Sequence, residues 1–393
     1  MKEFKAMLEE YRKIDFNQRR AALATVVKVH GSSYRSPGAR MLITDDGRWV
    51  GSISGGCLEG DALRKARMVM SSKRGVTVTY DTREESNQNL GIGLGCNGVI
   101  DVLIEPVEPG DKNNPITLFE SFVHVQQPFT LATLYSHPKL VGEKFLMTDG
   151  GKFVNQTGQS IPKDLEHDLS TLFETKKSVT RSYEFKGEVG HVFLELVQPV
   201  VSLILFGGGF DARPVSQLAK SLGWEVQVTD ECVAHVAPIF FPEADKLSLC
   251  QREFIDRDFT ITPYTACVLM SHNYEYDRDV LRKLLGKETP YIGILGPRKR
   301  FDKMLDEFTS QGLPVTQEQI GRVHSPIGLD IGAEAPDEIA LSIIAEIQSV
   351  FSNRSGGFLK YRGGPIHQRD STSDQVFKQV YLDSGNSAKA GNK

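Results

Sequence analysis

The chain has 393 residues, 40% of them hydrophobic and 24% charged, which is the balance of an ordinary globular protein with room for two or three domains. Its net charge of -4 gives no electrostatic footprint for nucleic acid or an anionic membrane surface. No apolar run approaches the ~20 residues that span a bilayer.

The opening stretch, MKEFKAMLEEYRK, is charged and amphipathic and lacks the apolar core of a signal peptide, so the expected compartment is the cytoplasm. There the five cysteines, Cys57, Cys96, Cys232, Cys250 and Cys267, are expected as thiols; no two are spaced CxxC, which argues against a zinc knuckle. Phe4, Met7, Leu8 and Tyr11 share one face of a helix predicted over 3–20. Strands are predicted at 22–29, 41–44, 49–53, 76–80 and 99–107, with a helix over 58–70 carrying Ala62, Ala66, Val69 and Met70 at helical spacing. Residues 110–115 read as a linker; 116–197 read as strand-rich and carry no motif.

From residue 201 the pattern changes to alternating strands (201–206, 225–229, 266–270, 291–295) and helices (214–222, 279–285, 300–308, 336–351). Such alternation predicts a doubly wound parallel sheet. The expected fold is therefore α/β: a mixed α+β domain over 1–198, a Rossmann-type domain over 199–362, and a flexible polar tail over 363–393.

The segment LILFGGGFDARPVSQLAKSLGWEVQVTD holds the parts of a dinucleotide fingerprint in the required context. Gly207 permits the strand-to-helix turn, Gly209 lets backbone approach a phosphate, and Ala212 allows close helix packing. The helix aims free N–H groups at the phosphate, and Asp230 at the next strand end suits a ribose. Pro214 removes one N–H near the helix start. The bland alternative is a glycine-rich turn that binds nothing. His272, Gly296, Arg298 and Arg300 follow other strands on the same edge, where arginines can pair with phosphate, although each alone is a common surface or capping residue.

Two loops of the first half are also unusual. Residues 30–40 (HGSSYRSPGAR) offer Ser32, Ser33, Arg35 and Arg40. Residues 51–61 (GSISGGCLEGD) lead through Gly55 and Gly56 to Cys57, expected at a helix N-terminus where the dipole favours a thiolate. A third loop, 91–98, carries Cys96. For both thiols the plain alternative is a small buried hydrophobe, and that packing role is the expectation for Cys232, Cys250 and Cys267. Glu59 and Asp61 suit the positive end of the helix whatever the cysteine does.

The motifs GSSYRSPGARML, GSISGGCLEGD, GGGFDARP, MSHNYEYDRDVL, YIGILGPRKR and PIGLDIGAEAPDEIALSIIAEI, in this order from about residue 20 to 365, resemble those of the xanthine dehydrogenase accessory family, also called XdhC/CoxI. The resemblance implies a maturation factor, more chaperone than enzyme, that binds the molybdenum cofactor (molybdopterin). It would protect the cofactor during sulfuration, with a cysteine desulfurase as sulfur source, and deliver it to a molybdenum hydroxylase apo-enzyme. A homodimer is implied as well. The expected cofactor site has Gly207, Gly209, Asp230 and Arg298 on one wall and Cys57, Cys96 and Arg40 on the other, with no metal held by protein ligands alone and Cys57 as the candidate molybdenum contact. Two other functions stay open: an NAD(P)-dependent oxidoreductase, for which His272 is the fair proton-transfer candidate, and a non-catalytic nucleotide sensor.

Overall fold

The computed structural model describes residues 2–82, 98–111, 114–123, 127–154 and 161–363. Cys96, and the polar tail from residue 364 onward, lie outside the described residues. The chain forms two compact units, Glu3–Gln198 and Pro199–Gly363.

The first unit begins with α1 (Lys2–Lys13), shorter than the predicted 3–20. Asp15 stops it: its carbonyl accepts from the N–H groups of Gln18 and Arg19, and its carboxylate accepts from the Asn17 N–H. An antiparallel sheet follows, in the order β3-β2-β1-β5-β4, from β1 (Ala21–Gly31), β2 (Arg40–Thr44), β3 (Trp49–Gly51), β4 (Val76–Asp81) and β5 (Gly98–Val107). Alternation along β1 sends Ala22, Ala24 and Val26 against Ala62, Ala66 and Val69 of α2 (Glu59–Ser72). Val27, on the opposite face with Leu103, packs on Tyr135 and Phe193 of a second antiparallel sheet.

That second sheet runs β8-β7-β6-β10-β9, from β6 (Phe129–Ser136), β7 (Lys144–Thr148), β8 (Phe153–Val154), β9 (Val179–Phe185) and β10 (Glu188–Val197). Two helices stand in the stretch that the sequence reading took as strand-rich: α3 (Pro115–Val123) and α4 (Lys163–Thr175). Asn114 caps α3 by accepting from the Ile116 N–H. In α4, Leu165, Leu169 and Leu172 keep a helical period and are buried against the second sheet.

The second unit is a parallel six-stranded sheet with α-helices on both faces, as the alternating pattern predicted. Its order is β13-β12-β11-β14-β15-β16, which within this unit is the doubly wound order 3-2-1-4-5-6. The strands are β11 (Ser202–Phe206), β12 (Glu225–Asp230), β13 (Lys246–Leu249), β14 (Thr265–Leu269), β15 (Tyr291–Ile294) and β16 (Val323–His324). Helices α5 (Ala212–Ser221) and α10 (Pro336–Phe351) cover one face. The other is covered by the one-turn α6 (Ile255–Asp258), α7 (Tyr274–Leu284) and α8 (Arg298–Ser310); the one-turn α9 (Gln317–Ile320) precedes β16. Helix α7 starts earlier than predicted because the Asn273 side chain accepts from the N–H groups of Glu275 and Tyr276. The strand order reverses between β11 and β14, and the glycine turn leaves β11 there.

Candidate functional site

In the second unit the three glycines after β11 have different reasons to be glycine. Gly207 adopts φ +120°, and a Cβ on it would fall 2.4 Å from the Ser271 nitrogen. A Cβ on Gly208 would fall 2.2 Å from the His235 carbonyl oxygen. On Gly209 a Cβ would meet only the His272 ring, at 3.7 Å, so the fold itself leaves room for a side chain. The first two glycines serve the turn; the third has room for a side chain beside the His272 ring.

The amides divide in the same way. Gly207 N–H donates to Thr229 O, Gly208 N–H to Asp230 Oδ2, Ala212 N–H to Gly209 O and Arg213 N–H to Phe210 O. The intervening N–H groups of Gly209, Phe210 and Asp211 have no acceptor among the described residues. They are consecutive and precede the first turn of α5, where the helix dipole favours an anion. Ala212 is fully buried under the sheet, as close packing of that helix requires. His272 stands at the rim with a left-handed φ of 59°, rare for a residue with a side chain, and its Nε2 lies 3.3 Å from Asp211 Oδ2.

The structure gives Asp230 work inside the protein. Oδ2 accepts from Gly208 N–H at 2.9 Å and faces His235 Nδ1 at 3.0 Å, while Oδ1 accepts from Cys232 N–H at 2.8 Å. It clasps the glycine turn to the segment after β12, rather than standing open for a ribose. Arg300 is engaged too: its Nη2 donates to Asp277 Oδ2 at 2.7 Å, tying α8 to α7. Burial pushes the Asp277 carboxyl up, and the Ser271 hydroxyl and the Arg300 charge oppose that rise. Arg298, at the start of α8, is exposed and 4.0 Å from Asp302, and the preceding Gly296 has φ +119°.

In the first unit the loops 30–40 and 51–58, and the chain flanking 83–97, leave the same end of the first sheet. Gly31 pairs with Gly98, and Thr82 holds Gly98 through its hydroxyl. A Cβ on Gly55 would fall 2.7 Å from the Tyr34 ring, so the first two loops meet there. Gly56, at φ +122°, faces open space. Ser32 is exposed, Ser33 is buried, and Arg35 pairs with Glu3 at 2.5 Å.

Arg40 is buried. Its guanidinium pairs with both carboxylate oxygens of Glu195, donates to Gly38 O at 2.8 Å and lies 4.6 Å over the Phe119 ring. It bolts the first sheet to the second, which corrects the expectation that it faces a ligand. The physical reason is that a buried guanidinium left without a partner is costly, and Glu195 is the carboxylate within its reach.

Cys57 is exposed, two residues ahead of α2. The group at the helix N-terminus is Glu59. Its carboxylate accepts from five backbone N–H groups, those of Ile53, Ser54, Gly55, Gly56 and Leu58, and from the hydroxyls of Ser52 and Ser54. Burial alone would raise the Glu59 carboxyl, but these donors, Ser54 first, outweigh it and bring the carboxyl down to about 2. Sequence reasoning gave Glu59 only the general preference for acid at a helix start; as the first residue of α2 it reaches back to the Gly56 N–H, three residues before it.

The remaining thiols divide. Cys250 and Cys267 are buried as expected, and burial pushes them up to about 11 and about 12. Cys232 is exposed, against the packing role read for it, because β12 ends at Asp230 and the chain there has left the sheet.

Two family models match this chain: the XdhC and CoxI family over residues 17–81, and the XdhC Rossmann domain over residues 203–347. A Bacillus subtilis protein described as a probable xanthine dehydrogenase subunit is 32% identical over 332 residues, which is 84% of this chain and 93% of that protein. A molybdenum cofactor insertion chaperone from Escherichia coli, PaoD, is 25% identical over 84% of this chain and 83% of its own length. A crystal structure described as a xanthine dehydrogenase from Bacillus halodurans superposes with a TM-score of 0.72 at 30% identity, covering 90% of this chain and 97% of that one. The glycine turn after β11 and the loops at the end of the first sheet both fall within matched segments, and the chain belongs to the XdhC and CoxI family.

Proposed function

We propose that this chain is a maturation factor for molybdenum hydroxylases of the xanthine dehydrogenase type, acting as a cofactor chaperone rather than as an enzyme with its own turnover. One observation carries the reading: three consecutive open amides precede α5, in a chain that aligns over 84% of its length with a protein named for inserting the molybdenum cofactor. The cofactor's phosphate fits that turn, since Gly209 is where the fold leaves space unfilled. When bound, the cofactor would supply molybdenum held by a pterin dithiolene.

The roles of the residues follow. Amides of Gly209, Phe210 and Asp211 bind the phosphate, with the α5 dipole behind them. Gly207 and Asp230 hold the turn that presents those amides. His272 borders the site and orients Asp211, and exposed Arg298 adds positive charge on the same sheet edge. Cys57 is the functional thiol, reached by sulfur from a cysteine desulfurase, with Cys96 as the second candidate. Two copies of the chain pair, and the hydroxylase apo-enzyme receives the cofactor. An NAD(P) reading draws no support from Asp230, whose oxygens are already accepting within the chain.

The test is mass spectrometry of ligands released from anaerobically purified protein, followed by reconstitution of a desulfo hydroxylase. A phosphate-bearing pterin is the expected ligand. Cys57→Ala is expected to bind it and fail in reconstitution. NAD(P)H as the released ligand, or full reconstitution by Cys57→Ala, would overturn the reading.

A further inference from the structure

We infer that the first unit is one fold used twice: residues 21–107 and 129–197 are two copies packed face to face, the second serving as a built-in partner for the first. The surface concerned is the face of the first sheet turned away from α2, and the partner it fits is a second copy of its own fold. The pairing stands independently of the maturation reading; only the role given to the loops of the first copy rests on it.

The two sheets share one strand order. Counted within each half, β3-β2-β1-β5-β4 and β8-β7-β6-β10-β9 both run 3-2-1-5-4. Each half inserts a helix, α2 or α4, between its third and fourth strands. The registers coincide as well. Leu23 lies between Glu105 and Leu42, and Leu131 lies between Glu195 and Leu146. Asp81 faces Val99 as Glu184 faces Val189. Side chains follow the backbone: LITDDGRWV (42–50) matches LMTDGGKFV (146–154), and VTVTYD (76–81) matches VTRSYE (179–184). Both helices end on a left-handed lysine, Lys73 or Lys176, each at φ 54°. Tyr80 and Tyr183 each donate to an aspartate in the helix of their own half, Asp61 and Asp168.

What joins the halves is reciprocal. Arg40 of β2 pairs with Glu195 of β10, and Lys144 of β7 pairs with Glu105 of β5 at 2.5 Å. Each cation also donates to the carbonyl two residues before it, Gly38 or Gly142. Thr180 of β9 donates to Val27 O at 3.4 Å, and its counterpart Thr77 of β4 donates to Tyr135 O, where Tyr135 is the counterpart of Val27. Contacts that recur with the two partners exchanged are the mark of a two-fold interface, here closed within one chain. A face filled in this way is not open to another copy, so any pairing of whole chains uses a different surface.

The copies differ at the loop end. The second passes from β9 to β10 through Lys186 and Gly187, where the first has residues 82–97. The first copy thus carries the loops that include Cys57, and the second braces it.

The experiment replaces residues 83–97 of the full chain with Lys-Gly, the connection of the second copy. Shared register predicts that this variant folds, with a melting temperature within about 5 °C of wild type. A larger drop, or failure to fold, would overturn the equivalence of the halves. Amide hydrogen exchange then tests the pairing in Arg40→Ala and Lys144→Ala. Each leaves a buried carboxylate unpaired in the opposite half, so each is expected to speed exchange by about tenfold or more in β1 and β5 and in β6 and β10 alike. Acceleration confined to the half that carries the substitution would sink the proposal. Neither measurement uses a ligand or a hydroxylase, so failure here is distinct from failure of the maturation reading.

Discussion

The glycine turn after β11 and the glycine loop before α2 look alike in sequence: strand, glycines, helix. They differ in what fills them. The first leaves three amides open and spends its acid, Asp230, on the neighbouring amide of Gly208. The second folds five amides around Glu59, an acid of its own helix. A glycine-rich helix entry is thus an offer of donors, and whether a ligand can take it depends on where the nearest carboxylate of the chain reaches. One turn leaves its donors free among the described residues; the other already holds a carboxylate of its own chain.

The largest effect tests whether Arg40 belongs to either turn. If it is a bolt between sheets, Arg40→Ala should destabilise the protein by about 3–5 kcal/mol in urea unfolding, because Glu195 is left buried and unpaired. The paired change to Arg40→Met with Glu195→Leu should recover much of that loss. Within the β11 turn the contrast should be nearly as large. Gly207→Ala forces a Cβ to 2.4 Å from Ser271 N at φ +120° and should cost about 2–4 kcal/mol. Gly209→Val should change stability by under about 1 kcal/mol while abolishing binding of the phosphate-bearing ligand, followed by isothermal titration. Equal destabilisation at both positions would erase the distinction between structural and ligand-facing glycines.

The acid limb sharpens the other side of the comparison. The Glu59 carboxyl is depressed to about 2, so its contribution to stability is fully present above its unfolded value near pH 4.5 and is lost as pH falls toward 2. At ~1.4 kcal/mol per pH unit this is on the order of 3–4 kcal/mol. Glu59→Gln should flatten that stretch of the stability curve relative to wild type, measured by denaturant unfolding from pH 5 downward. The smallest effect is at Cys57, where exposure predicts that Cys57→Ala changes the unfolding free energy by less than about 0.5 kcal/mol.

Much of the second unit was legible in the sequence. Continuous apolar strands separated by amphipathic helices give a parallel sheet without any contact information, and the glycine turn followed from its context. The first unit was less so. Helix α4 was readable, since Leu165, Leu169 and Leu172 keep a helical period, but it lay in a stretch without motifs and between strands. Helix α3 is only nine residues long, and the Asn114 cap that starts it follows directly on a segment of turn residues.

What the sequence determined by itself is local: which segments bury one face, where glycines let the chain turn, and which family the ordered motifs belong to. These depend on side-chain period and backbone freedom, both of which are written along the chain. What only the tertiary structure decided is which polar groups are spent. Arg40 and Glu195 are 155 residues apart, Arg300 and Asp277 twenty-three, and the clasp of Asp230 on Gly208 joins the ends of neighbouring strands. A buried charge takes the nearest partner in space, because leaving it unpaired costs several kcal/mol, and nearness in space is set by packing rather than by spacing along the chain.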